Sequence, residues 1–194
     1  DDMGNWTLYT PESTGGGLVS GHVHAVTLDG QGNIWFAAIP SWEAGEYVGG
    51  GVSVRLTDGT WISYTTGNSG LPSNWVRSLA VDGQGNAWFA IGQPWCGYGE
   101  GVSLRRADGN WITHTTANAP LPSDDVRALT VDNAGNVWLA IAPYEYWDEE
   151  SQQWIRLPGG VAVHRTDGTW TVYTATEEIP VCYATAIAVR RDGE

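Results

Sequence analysis

Lysine is absent from this 194-residue chain, and all nine of its basic residues are arginine. Schiff-base catalysis and phosphate binding by a P-loop both need a lysine amine, so both are excluded. Positive charge is scarce as well: 22 acids against nine bases give a formal net charge of −13. A nucleic-acid binder neutralises phosphates with a basic face, and anionic membrane surfaces attract the same sign, so neither is an expected partner. No apolar run approaches the roughly 18 residues of a membrane-spanning helix. No cofactor-binding motif is present, and no cofactor is expected. Cysteine occurs only twice, at Cys96 and Cys182, which could pair or be buried singly; the count alone sets no redox compartment. The opening Asp1-Asp2-Met3-Gly4 has neither the basic nor the apolar region of a secretory signal, which leaves open its removal before residue 1.

What the chain does contain is 26 Gly, 12 Trp and 8 Tyr, a composition too aromatic and too sparsely charged for intrinsic disorder. The length suits one sizeable core. Internal repetition is the strongest signal. The segment Asp29-Gly30-Gln31-Gly32-Asn33-Ile34-Trp35-Phe36-Ala37 returns at Asp82 to Ala90 and, with changes, at Asp132 to Ala140. A second unit, Asp58-Gly59-Thr60-Trp61-Ile62-Ser63-Tyr64-Thr65, returns at Asp108 to Thr115 and Asp167 to Thr174, and its second half stands at Asn5 to Thr10. Trp6, Trp61, Trp111 and Trp170 are therefore one position, at spacings of 55, 50 and 59 residues.

Each period holds four short runs rich in Val, Ile, Trp, Tyr and Thr, too short for helices and separated by turn chemistry. The second period has them at Trp75–Val81, Ala87–Ile91, Gly101–Arg105 and Trp111–Thr116. The joints between runs use Asp, Gly and Asn, which reach the backbone angles of tight hairpins at little cost. Four antiparallel strands in a period of about 50 residues predict an all-β fold, a β-propeller of four-stranded blades. The expected blades cover approximately 22–66, 75–116 and 125–174, with a partial blade at 183–194 combined with 5–10.

The pattern V-R-x-[LI]-x-V-D-x-x-G-N-x-W-[FL]-A, followed by G-V-x-[VL] and D-G-x-W, resembles the repeat of the two-component-regulator propeller family. The resemblance covers nearly the whole chain and implies an extracytoplasmic location, periplasmic, secreted or at a bacterial cell surface, since blades of that family form sensor domains there. Fold does not dictate function, so the resemblance is specific for architecture only. The G-N-x-W-F blade is also similar to streptogramin lyase propellers, although no histidine stands outside the repeat as a lyase base.

With strands A to D counted outward from the axis, the chain opens on a D strand (Asn5–Thr10) and ends on an A strand (Tyr183–Arg190). The fourth blade thus lacks B and C strands. Two explanations follow: the chain is a stretch of a longer propeller, or another copy or another chain closes the ring. Other protein chains, or the rest of a longer propeller, are the expected partners.

One end of the blades carries only short A–B and C–D turns. The other carries the B–C loops (Pro40–Gly50, Gly92–Glu100, Pro143–Gly159) and the D–A loops, where function is expected to concentrate. The candidate binding residues there are Trp42, Glu43, Tyr47, Trp95, Tyr98, Glu100, Tyr144, Tyr146, Trp147, Asp148 and Trp154. Arg77 and Arg127 begin A strands near the axis. Aromatic plates beside carboxylates suit a carbohydrate or a cationic ligand; alternatively the aromatics pack the loops together while the acids keep the surface soluble. The arginines could meet an anionic group or pair with a carboxylate of the adjacent blade. The stretch Tyr144–Gly159 is the leading interaction element, because loops of that length are uncommon without a role.

The repeated tryptophans are expected to pack between blades, and the Asp of each Asp-x-x-Gly-Asn turn to cap its own turn rather than bind calcium. His24 aligns with Arg77, Arg127 and Thr185. His114 replaces Tyr64 and Tyr173, and His164 replaces Arg55 and Arg105, so each fills an ordinary repeat position. His22 and His24 share one strand face but lack a third metal ligand. The expected function is a non-catalytic ligand-binding or protein-interaction module of a sensor, surface or assembly protein. A propeller enzyme, lyase or carbohydrate-active, using carboxylates of the loop face is one alternative, and a purely structural subunit is another. The oxidising compartment implied by the family would favour a Cys96–Cys182 disulfide, but neither cysteine occupies a repeated position, and two separate thiols remain the other outcome.

Overall fold

The computed structural model describes residues 6–93, 99–174 and 184–189. Trp95, Cys96, Tyr98 and Cys182 lie outside the described residues. The first blade is built from β1 (Val23–Leu28), β2 (Ile34–Ala38), β5 (Gly51–Arg55) and β6 (Trp61–Tyr64), with a hairpin of β3 (Ser41–Glu43) and β4 (Glu46–Val48) between its second and third strands. The second blade is β7 (Val76–Val81), β8 (Ala87–Gly92), β9 (Gly99–Arg105) and β10 (Trp111–His114). The third is β11 (Val126–Val131), β12 (Val137–Ile141), β15 (Gly160–His164) and β16 (Trp170–Thr174), again with an inserted hairpin, β13 (Tyr144–Asp148) and β14 (Gln153–Leu157). All pairings are antiparallel between neighbours, and β7 lies against both β1 and β11. The fold is a β-propeller with its innermost strands side by side.

Turn chemistry fixes each blade at its short-turn end. Asp29 Oδ1 accepts the backbone N–H groups of Gln31 and Asn33 at 2.9 Å, while Oδ2 accepts the Asn33 amide and the Trp35 indole, also at 2.9 Å. Gly32, at φ +84°, closes the turn in a conformation that favours glycine. Asn33 Oδ1 then takes the N–H of Thr57 at 3.1 Å, joining the A–B turn to the C–D turn. Asn86 and Asn136 do the same to Ala107 and Thr166. Partial burial acts to raise the Asp29 carboxyl, but hydrogen bonds from Trp35 and Asn33 outweigh it and hold the group below its ordinary value.

The apolar cores lie between blades. Trp35, Val52, Val54 and Leu71 meet Val76, Leu79, Phe89 and Ile91 across the first interface. Trp88, Val102 and Leu104 meet Val126, Leu129, Val137 and Leu139 across the second. Because the strands repeat in register, one position can be compared in covered and uncovered blades. Leu79 and Leu129 are 5% and 6% exposed, whereas Val26, their counterpart in β1, is 57% exposed.

The expected end strands are corrected in part: residues 6–10 and 184–189 belong to no strand. The physical reason is that a strand exists through its hydrogen-bond ladder, and no neighbouring strand is present for either segment among the described residues. Side-chain docking persists without the ladder. Tyr9 meets the Trp61 ring edge-on at 5.6 Å beneath the Arg55 guanidinium, as Tyr64 meets Trp111 at 5.7 Å beneath Arg105. Tyr9 therefore takes, against Trp61 and Arg55, the place that Tyr64 takes against Trp111 and Arg105.

Leu79→Ala is expected to cost about 2–5 kcal/mol by opening a cavity in the inter-blade core. The matching change in the uncovered blade, Val26→Ala, is expected to cost less than about 0.5 kcal/mol. Equilibrium denaturation measures both, and equal losses would show that the faces, rather than the interfaces, hold the core.

Candidate functional site

At the loop end, each innermost strand begins with a bulge at its second residue: the register shifts between Val23 and Ala25, Val76 and Ser78, and Val126 and Ala128. A bulged residue leaves the ladder and its side chain is re-aimed. These residues are His24, Arg77 and Arg127. Arg77 Nη1 meets Asp125 Oδ1 at 2.7 Å across the boundary between the second and third blades, and Arg127 Nη2 meets Oδ2 of the same carboxylate at 2.5 Å. Arg77 Nε also donates to the Gly92 carbonyl at 2.6 Å. Asp125 is fully buried and Arg77 nearly so. Burial pulls the Arg77 guanidinium below its ordinary value, against the hydrogen bond and charge of Asp125 and the more distant Glu100. The two arginines are thus brought together on one carboxylate, and Arg77 faces inward.

The B–C insertions expected as loops in the first and third blades are hairpins. Trp42 and Tyr47 stand opposite each other on β3 and β4, with rings 4.7 Å apart, and Tyr47 continues onto Trp75 at 4.9 Å. Trp75 is buried at the entrance to β7, so this hairpin lies down on the second blade. Glu43 and Glu46 face each other at its tip. The longer hairpin pairs Trp147 directly with Trp154, edge to face at 5.8 Å, and Tyr144 stacks on Tyr146 along one face of β13. Trp147 is 45% exposed and Trp154 69%.

Several acids of this end are engaged with the fold. Glu145 pairs with Arg156 across the hairpin at 3.3 Å. Asp148 accepts the Ser151 N–H at 3.0 Å and caps the tip, and these Ser151 hydrogen bonds hold its carboxyl below the ordinary value. Asp124 accepts the Thr116 N–H at 2.6 Å, closing the loop into the third blade. Glu100 is half-buried at the start of β9. No group of three or more histidine, cysteine or carboxylate side chains is arranged to hold a metal among the described residues.

Sequence reasoning missed Asp125 as the centre of the arginine pair. The available signal was its repeat position, where the other blades carry His22 and Trp75. It also missed the hairpins, although Tyr144-Glu145-Tyr146-Trp147-Asp148 and Gln153-Trp154-Ile155-Arg156-Leu157 flank a polar turn with strand-like spacing.

Asp125→Asn leaves the buried Arg77 without its counter-charge and is expected to destabilise the chain by about 3–5 kcal/mol. Adding Arg77→Met should recover a large part of that loss, since a matched apolar replacement removes the charge the asparagine strands. Denaturant midpoints of the two variants test this; an additive double variant would show that the pair is not coupled.

The two-component regulator propeller model matches residues 70–92, which run from the D–A loop through β7 and β8. No curated protein matches the sequence. Among solved structures, the extracellular domain of a hybrid two-component system from B. thetaiotaomicron is similar over 81% of this chain and 29% of its own, at 18% identity and TM-score 0.42. A streptogramin B lyase structure is similar over 78% of this chain and 40% of its own, at 15% identity and TM-score 0.49. A structure described as a gluconolactonase is similar over 80% of this chain and 50% of its own, at 11% identity and TM-score 0.48. The chain therefore spans between 29% and 50% of the length of these structures. The matched segment is one repeat of a plan carried on three blades, and in that repeat the chain is similar to the two-component regulator propeller family.

Proposed function

We propose that the chain is a non-catalytic protein-interaction module of an extracytoplasmic sensor, surface or assembly protein, docking through its loop end. One observation carries this reading: the β13–β14 hairpin presents a cross-strand Trp147–Trp154 pair to solvent. Tryptophan and tyrosine dominate the energetic centres of protein interfaces, and a paired hairpin holds them at low entropic cost before a partner arrives. A non-catalytic role is supported by the carboxylates nearby: Glu145, Asp148 and Asp125 are committed to an ion pair, a turn cap and a buried arginine cluster. The extracytoplasmic part of the reading rests on the repeat family.

The test places a photo-crosslinking residue at Ser151, on the hairpin tip, in the protein as it occurs in its own cell. A partner peptide should crosslink there. Trp147→Ala with Trp154→Ala should reduce the yield at least about tenfold while leaving the melting temperature of the chain near its original value. Unchanged crosslinking in the double variant, or a partner mapped to the short-turn end instead, overturns the reading.

A further inference from the structure

The short-turn end holds a cleft between the second and third blades, about 700 Å³ in volume and lined by Trp88, His114, His164 and the turns of Asp82 and Asp132. A smaller cleft of about 430 Å³ occupies the same place between the first and second blades. In two repeats an arginine fills the corresponding spot: Arg55 lies over Tyr9 at 5.6 Å and Arg105 over Tyr64 at 5.1 Å. The third repeat replaces both partners at once. His114 stands for the tyrosine and His164 for the arginine, with their rings 6.1 Å apart across the blade boundary. Trp88 lies 4.9 Å from the His164 ring and 6.0 Å from that of His114, so an aromatic wall remains where the guanidinium is gone.

A second departure from the repeat falls in the same cleft. The indoles of Trp35 and Trp138 donate to Asp29 and Asp132 at 2.9 and 2.8 Å. The equivalent indole nitrogen of Trp88, a residue only 2% exposed, has no acceptor among the described residues. A buried donor left unmatched costs about 1–3 kcal/mol unless something else accepts its proton. Asp82, Asp132 and Asp167 line the cleft against the single guanidinium of Arg106, so its lining is net negative while the imidazoles are neutral.

We propose that this cleft binds a small organic cation bearing a hydrogen-bond acceptor, such as an amino alcohol, which replaces the missing guanidinium against the Trp88–His114–His164 wall and accepts from the Trp88 indole. Aromatic faces attract cations, more strongly when water is excluded, and the acidic turns add to the attraction. Protonation of the imidazoles opposes it. Burial, then the neighbouring His164 and Arg106, depresses His114 below the ordinary value of 6.5. Burial and Arg106 likewise depress His164, with Asp167 and Asp82 acting the other way. Both rings are neutral at pH 7, and binding weakens as the pH falls below 6.5 toward their lowered values.

Choline serves as the probe, with its uncharged carbon isostere dimethylbutanol as the control. Ring-proton NMR reads the four histidines, of which His22 and His24, on the first blade's entry to β1, act as internal references. Choline should shift the His114 and His164 signals and leave those of His22 and His24 in place, and dimethylbutanol should shift neither pair. His114→Tyr with His164→Arg rebuilds the pair found in the other two repeats, and should weaken choline at least about tenfold without loss of stability. Trp88→Phe should weaken choline more than tetramethylammonium, which has no acceptor and loses only the stronger cation–π face of the indole. The proposal is overturned if choline leaves His114 and His164 unmoved, if dimethylbutanol binds equally, or if the rebuilt pair binds choline as before.

Discussion

A four-stranded blade has two largely apolar faces and nothing within itself to cover them, so each blade depends on its neighbours for a core. Val52, Phe89 and Ile91 at the first boundary, and Val126, Leu139 and Ile141 at the second, are fully buried between sheets. The alanines Ala37, Ala87 and Ala90, also without exposure, allow that close approach. Everything else in the molecule is arranged around this dependence. The bulge that re-aims Arg77 and Arg127, and the buried Asp125 between them, place a charged contact at the axis end of a boundary that is otherwise apolar.

Much of the architecture was legible because its causes are local. The Asp-x-x-Gly-Asn turn and the tryptophan two residues beyond it are linked within seven residues, from Asp29 to Trp35, and the repetition of that segment exposes the blade period. What escaped the sequence is non-local. Asp125 and Arg77 are 48 residues apart, and only the packing of two blades decides that they meet. His114 and His164 each looked ordinary in their own repeat, and their joint departure becomes visible only when the blade boundary brings them face to face. The insertions at Pro40–Gly50 and Tyr144–Gly159 were legible as long connections but not as hairpins, since cross-strand pairs such as Trp147 and Trp154 need the register to be known.

The two ends of the propeller divide their chemistry differently. The loop end puts its aromatics on raised hairpins, where Trp42 and Tyr47 fold down onto Trp75 while Trp147 and Trp154 stay exposed. The short-turn end puts its aromatics inside clefts, walled by the rings that seal neighbouring blades. An exposed plate suits a broad macromolecular contact, whereas a walled recess suits a small molecule. One chain can hold both because the strands that form the walls are set by the repeat and the loops are not.

The asparagine that ends each A–B turn has a further consequence for how such a molecule grows. By taking the N–H of Thr57, Ala107 or Thr166, it ties inner and outer hairpins of its own blade together and asks nothing of the next. Each blade thus completes its turn hydrogen bonds internally, and joins its neighbours chiefly by shape and apolar area. A duplicated segment of about 50 residues can therefore be inserted or deleted without orphaning a turn donor at either junction, so gene duplication can change blade number while keeping every unit foldable.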